Sequence, residues 1–361
     1  MMQALETTLT QALGCRVPIV QTAMGWVADP ALVAATTRAG GFGFLAAASI
    51  PMGGIDAAIE DVKARTDGPF GVNFHMFAPN AAEVIEAVLR HKVRAVSYGR
   101  GPDAATIGRF KEAGILCMPT VGAVKHAVKA VELGADIVTI QGGEGGGHTG
   151  SVPTTLLLSQ VLDAVDVPVV AAGGFHDGRG LAAALAWGAA GIAMGTRFLL
   201  TSDSPVHAST LELYLKTKDP ALIRVTKAVD GLPQRFVENE VIRRLEGMSG
   251  AARFAASVRH GLAWGRKAGL SVPQMMKLAW TSAMSDESGF AATVMAPNLP
   301  RLVEAGLVDG DTRAGLLPSG QVAALIDGLE SCEALIARIM TEAESRLDAL
   351  ASLGRNGKDT E

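Results

Sequence analysis

Asp136-Ile-Val-Thr-Ile-Gln-Gly-Gly-Glu-Gly-Gly-Gly-His-Thr-Gly150 joins a short apolar run to a glycine-rich loop. Five glycines stand between Gln141 and His148, with another at Gly150, so backbone amides can approach a bound group closely. The run before the loop reads as a buried strand, a rigid support for three side chains with chemistry: Gln141, Glu144 and His148. The same succession of apolar run, Gly, Asn or Ser cluster and helical stretch recurs from residue 17 to residue 200.

That spacing predicts strands at 19–24, 42–46, 70–74, 95–98, 116–121, 137–141, 167–172 and 191–195, eight in all. Helices are expected between them at 30–39, 55–66, 81–91, 104–113, 124–133, 155–165 and 180–187. Strands too apolar to alternate belong to a parallel sheet covered by helices. Eight of them favour a closed (β/α)8 TIM barrel over an open doubly wound sheet, and Gly40-Gly-Phe-Gly43 precedes its strand, the wrong order for a dinucleotide loop. Ligand groups are therefore expected at the C-terminal strand ends, within 22–25, 48–49, 73–75, 97–100, 120–122, 141–148, 173–174 and 195–196. The barrel is assigned to residues 1–200 and 301–361, and residues 201–300 to a mostly helical insertion, a lid over the barrel mouth. A long amphipathic helix is expected to begin near Ser319 and run through Leu325, Ile326, Leu329, Leu335, Ile336, Ile339 and Met340.

Composition sets outer limits. A chain of 361 residues with 48% hydrophobic content buries a sizeable core, and its net charge of -4 gives no global attraction to nucleic acid. No uncharged apolar run approaches the ~20 residues of a membrane span, and the N-terminal stretch lacks a basic region followed by an apolar one, which points to a cytoplasmic protein with no membrane partner. Cys15, Cys117 and Cys332 are far apart and in no metal-like spacing; they read as reduced thiols, Cys117 in the core. Between Lys216 and Trp280, 12 Lys and Arg face 5 Asp and Glu, an excess that reads either as a solvated face or as recognition of an anionic substrate group. The composition is compatible with a homo-oligomer.

The site reading follows from the strand ends. Gly173, Gly174, Gly195 and Thr196 end the seventh and eighth strands, where barrels commonly hold a phosphate on glycine amides. Asn73 and Gln141 each carry an amide that donates and accepts, suited to the edge of a flavin ring. His148 is the acid/base candidate, because imidazole exchanges protons near neutral pH and the flanking glycines leave room for a substrate. Glu144 is placed to orient His148 or bind substrate; Lys125 and His75 are weaker candidates; no third ligand makes Glu144 and His148 a metal site.

Val17-Pro-Ile-Val-Gln-Thr-Ala-Met24, Gly71-Val-Asn-Phe74, the loop 141–150, Ala171-Ala-Gly-Gly174, Asp177-Gly-Arg-Gly180, Met194-Gly-Thr-Arg-Phe198 and Pro318-Ser-Gly-Gln321, in this order, resemble the nitronate monooxygenase (2-nitropropane dioxygenase) family of FMN-dependent barrels. The resemblance implies FMN held by Ala23, Met24, Asn73, Gln141, Gly146, Gly147, Gly173, Gly174, Gly195 and Thr196, with His148 at the family's catalytic histidine position. The wording Gln21–Trp26, Glu144–Thr149, Thr201–Ser204 and Val229-Asp-Gly-Leu-Pro233 is most similar to the branch acting on CoA thioesters in bacterial steroid-ring breakdown. That implies an oxidoreductase moving hydride between flavin and a small-molecule acyl-CoA, with NAD(P)H as co-substrate. The alternatives are a nitronate monooxygenase using O2 and, from another class, a non-catalytic flavin- or phosphate-binding barrel.

Overall fold

Strands buried on both faces need partners on both edges, and the apolar runs find them in one parallel sheet. The structure, a computed structural model, describes residues 5–76, 78–99, 101–250, 252, 255, 271–273 and 298–353. Its strands are β1 (Ile19–Gln21), β2 (Phe42–Ala46), β3 (Gly71–Phe74), β4 (Ala95–Tyr98), β5 (Leu116–Cys117), β6 (Thr120–Val121), β7 (Val138–Gln141), β8 (Gly147–His148), β9 (Val169–Ala172) and β10 (Gly191–Met194), with β11 (Ile223–Thr226) and β12 (Gln234–Val237) following. The large sheet runs β5-β4-β3-β2-β1-β10-β9-β7-β6.

The two ends of that order are consecutive in the chain. Pro119 has no N–H and divides the expected fifth strand into β5 and β6. On one side the Met118 amide donates to the Val96 carbonyl at 2.8 Å; on the other, the Pro119 carbonyl accepts from the Thr139 amide at 2.9 Å. The stretch 116–121 thus bonds outward in both directions and closes the sheet, so all eight expected positions become the eight walls of a (β/α)8 barrel.

The chain divides into two compact units: Met1–Glu144 with Ser151–Ser204 and Gly328–Glu361, and Gly145–Gly150 with Pro205–Asp327. In the first, helices start where aspartates accept the early amides: Asp29 accepts from the Leu32 N–H at 2.9 Å, Asp103 from that of Thr106 at 2.9 Å and Asp177 from that of Gly180 at 3.1 Å. All three cysteines are buried and free, and burial pushes the Cys117 thiol up to about 11, as befits a core thiol. No helix among the described residues is long and apolar enough to cross a membrane.

The helix expected from Ser319 is two elements. Gln321–Leu325 is a short 3-10 turn, and the closing helix of the first unit is Cys332–Leu353. Its start is set by acceptors for its first amides: the Asp203 carboxylate takes the Cys332 N–H at 2.6 Å and the Ser331 hydroxyl takes that of Ala334 at 3.1 Å. Leu335, Ile336, Ile339 and Met340 are buried as expected, but Leu325 and Leu329 are 59% and 38% exposed and belong to no common apolar face.

The second unit holds the antiparallel sheet β11-β12-β8 and the helices Ala208–Lys216, Glu240–Gly247 and Asn298–Leu307. Its core includes Tyr214, Phe236, Val229 and Ile242, and the Tyr214 hydroxyl donates to the Pro318 carbonyl at 2.7 Å. Of the basic residues between Lys216 and Trp280, Arg253, Arg259, Arg266, Lys267 and Lys277 lie outside the described residues, as does Arg100 at the expected end of the fourth strand.

Gly178 is where the closing helix meets its neighbour, Gly178–Ala186. A Cβ there would lie 2.4 Å from the Ile339 carbonyl oxygen and 2.5 Å from the Ala343 nitrogen, both backbone atoms that cannot swing aside. Gly178→Ala is expected to lower stability by about 1–3 kcal/mol, read from the midpoint of urea unfolding; an unchanged midpoint would contradict this close seating.

Candidate active site

Because the barrel strands are parallel and in register, the residues that end them share one edge. Asn73 stands opposite Ser97, Gln141 opposite Ala172 and Gln21 opposite Met194. The expected FMN residues Ala23, Met24, Asn73, Gln141, Gly173, Gly174, Gly195 and Thr196 therefore fall at or just past the C-terminal ends of β1, β3, β7, β9 and β10. At this edge a barrel puts its ligands.

Gly173 and Gly174 take left-handed φ values of 110° and 83°, a backbone that only glycine adopts freely. β9 and β10 are neighbours, so this bare backbone lies on the strand beside Gly195. A Cβ at Gly195 would meet the Thr22 hydroxyl at 3.0 Å and the Met24 sulfur at 3.3 Å. The Asn73 Nδ2 donates to the Ser97 carbonyl at 3.1 Å and hydroxyl at 2.8 Å, which leaves its Oδ1 as acceptor for a ligand. These residues fit a phosphate-bearing flavin on two grounds: side-chain-free amides on the two adjacent strand ends, and a fixed carboxamide acceptor.

Glu144 is engaged at a helix start, a task its sequence context does not announce. Its carboxylate accepts from the Thr154 amide at 2.9 Å and the Thr154 hydroxyl at 2.7 Å, capping the helix Thr154–Leu162 whose own N-cap, Pro153, offers no side-chain acceptor. Gly142 and Gly173 close on the same threonine: Cβ atoms there would lie 2.1 Å and 2.6 Å from its hydroxyl. Part of the glycine run is thus demanded by packing. Lys125 is exposed in the first turn of the helix Val124–Glu132, after β6.

Gly146, Gly147 and His148 belong to the second unit. A Cβ at Gly146 would lie 2.6 Å from the Gly320 nitrogen, so this glycine admits the backbone of Ser319–Gly320; Gly147 is required by its φ of 65°. β8 pairs antiparallel with β12, matching His148 with Gln234 and Gly147 with Arg235. The Thr149 amide donates to the Pro233 carbonyl at 3.1 Å, and the buried Arg235 Nε donates to the Gly145 carbonyl at 3.2 Å.

On that sheet the His148 Nε2 lies 2.8 Å from Asp230 Oδ2 and 3.0 Å from Gln234 Nε2, and Gln234 Nε2 also donates to Asp230 Oδ2. The Asp230 side chain is 4% exposed against 52% for His148, so the imidazole rises from a buried carboxylate toward solvent. A histidine held this way can exchange protons in a fixed orientation. Asp230, not Glu144, is therefore the carboxylate at the histidine. Neither Asp230 nor Gln234 is among the site residues read from the sequence; the available signals were the turn Asp230-Gly-Leu-Pro233 and its place in the family-like stretch Val229–Pro233.

The basic excess is partly neutralised on site. Lys216 pairs with Glu212, Lys218 with Asp327, and Arg224 and Arg243 with Glu238, at 2.5–3.2 Å. Two of these acids lie outside the window in which the excess was counted, so the sequence count overstates the local field.

The sequence matches the family model "Nitronate monooxygenase" over residues 6–87 and 80–342. It is 48% identical over 352 residues, covering 97% of this chain and 99% of the relative, to the (3aS,4S,5R,7aS)-5-hydroxy-7a-methyl-1-oxo-octahydro-1H-indene-4-carboxyl-CoA dehydrogenase of Mycobacterium tuberculosis. It is 46% identical to the protein of the same name from Rhodococcus jostii, covering 98% and 99% of the two chains. The solved structure of FabK from Thermotoga maritima is similar with a TM-score of 0.77 at 29% identity, covering 97% of this chain and 99% of that one.

Glu144→Ala removes the acceptor of both Thr154 bonds. The expected loss is about 1–2 kcal/mol, measured by denaturant unfolding, and stability equal to that of the parent would contradict the capping role.

Proposed function

The chain belongs to the nitronate monooxygenase family, and from that premise we propose an FMN-dependent oxidoreductase that acts on a CoA thioester, with NAD(P)H or its oxidised form as electron partner. The observation that carries this reading is the 48% identity to a CoA-thioester dehydrogenase over 352 residues, a span that takes in the insertion after the eighth barrel strand as well as the barrel. As a member of an oxidoreductase family with full-length dehydrogenase relatives, the chain is an enzyme, which sets aside a non-catalytic binding barrel.

When bound, FMN supplies the hydride chemistry. The candidate holders are Ala23, Met24, Asn73, Gln141, Gly173, Gly174, Gly195 and Thr196 on the barrel edge, with Gly146 and Gly147 from the loop that carries His148. Oxidising a secondary alcohol removes a hydride from carbon and a proton from oxygen; the reverse direction returns both. His148 takes or gives that proton, and its half-exposed ring is compatible with a substrate hydroxyl reaching it. Glu144 serves by fixing the loop to Thr154, and Lys125, exposed at its helix start, is a candidate contact for a substrate anion. The CoA portion lies away from the reacting carbon, and its binding energy goes into placing that carbon.

The test compares a hydroxylated ring-carboxyl-CoA thioester with the corresponding free acid, and the parent enzyme with His148→Ala. The thioester is expected to turn over, the free acid to lose about 100-fold or more in kcat/KM, and His148→Ala to lose about 10²–10⁴-fold in kcat with its flavin content unchanged. Turnover of propionate 3-nitronate with O2, alongside no turnover of any acyl-CoA, would overturn the proposal in favour of a nitronate monooxygenase.

A further inference from the structure

We infer that Asp230 is the positioning residue for His148: it holds the neutral ring as the Nε2–H tautomer and so makes Nδ1 the nitrogen that gains and loses the proton. The inference rests on the proposed role of His148, while its geometry lies wholly within the second unit.

Hydrogen positions follow from the network around them. A carboxylate only accepts, so the 2.8 Å contact from His148 Nε2 to Asp230 Oδ2 is a hydrogen bond only if Nε2 carries the hydrogen. In the other tautomer the Nε2 lone pair would face a buried carboxylate oxygen at that distance, two acceptors with no proton between them. With Nε2–H, the 3.0 Å contact between Gln234 Nε2 and His148 Nε2 sets two donors side by side and is not itself a hydrogen bond; the buried carboxylate, as the charged acceptor, decides the proton. Gln234 Nε2 donates to the same Oδ2, so that one oxygen accepts from both the amide and the ring.

Asp230 is held against turning away. Its Oδ1 accepts from the Leu232 amide at 3.0 Å, its side chain is almost fully buried, and Gly231 takes φ 84° to make the turn possible. Gln234 in turn is fixed opposite His148 by the β8–β12 register. Carboxylate, amide and imidazole are thus tied to one small sheet and the turn that feeds it, although Asp230 stands 82 residues from His148 in the chain.

The deciding experiment is a long-range proton–nitrogen NMR correlation of the full-length flavoprotein labelled with ¹⁵N-histidine, recorded without substrate and with the ring neutral. The expected spectrum shows His148 Nε2 as the protonated, pyrrole-type nitrogen and Nδ1 as the pyridine-type one. In Asp230→Asn the Leu232 amide still requires an oxygen at the Oδ1 place, which puts the new NH2 where Oδ2 was, facing the ring. The tautomer should then reverse, and kcat should fall about 100-fold with flavin retained. Gln234→Leu leaves the carboxylate in place and should keep Nε2–H, with kcat reduced by less than about 10-fold.

A wild-type spectrum with the hydrogen on Nδ1, or identical tautomers in the parent and Asp230→Asn proteins, would overturn the inference. The wild-type spectrum decides by itself should Asp230→Asn fail to fold. An Nε2–H spectrum together with a fully active His148→Ala enzyme would uphold the tautomer assignment and refute only the proton-carrying role proposed above.

Discussion

Closure of the parallel sheet at 116–121 is the constraint on which the rest of the first unit depends. An open sheet would leave the outer edges of β5 and β6 unpaired. The divided fifth strand instead gives one edge to β4 and the other to β7. With the register fixed around the ring, Asn73, Gln141, Gly173 and Gly195 end at one edge although they are scattered over more than 120 residues of sequence. Gly178 lets the backbone of Cys332–Leu353 approach within what a Cβ would forbid, and the Gly178 amide donates to Glu342 at 2.8 Å.

The glycine-rich loop after β7 carries two kinds of obligation. Its first part is anchored by packing, with Gly142 against Thr154 and Glu144 capping the following helix. Its second part becomes a strand, β8, paired with β12. Between the two the chain passes from one compact unit to the other at Glu144–Gly145. A histidine on a free glycine loop would sample many orientations at a cost in entropy for every catalytic geometry. Here the ladder to β12, the Arg235 guanidinium and the Asp230 carboxylate remove that freedom.

How much of this could be read from residues alone follows from the range of each interaction. The strands were legible because β2, β9 and β10 are buried at every position, which writes continuous apolar runs into the sequence. Strand-end candidates followed, since barrel topology converts a strand end directly into a site position. The long terminal helix starts later than its apolar period suggests, because Leu325 and Leu329 fit that period by chance while the actual start depends on Asp203, distant in sequence. Glu144 stands four residues from His148 in the chain, yet its partner is Thr154. Asp230 lies within a family-like stretch, Val229–Pro233, but nothing local announces that the strand after it pairs with the segment that carries His148.

In the proposed chemistry a flavin exchanges electrons with a CoA thioester. The most direct measurement is an anaerobic absorbance titration of the purified protein with the hydroxylated ring-carboxyl-CoA. Loss of the oxidised flavin band in proportion to added thioester, and its return on adding the oxidised nicotinamide partner, is the predicted result. A protein without bound flavin, or a flavin band unmoved by the thioester and bleached by an alkyl nitronate, would contradict it.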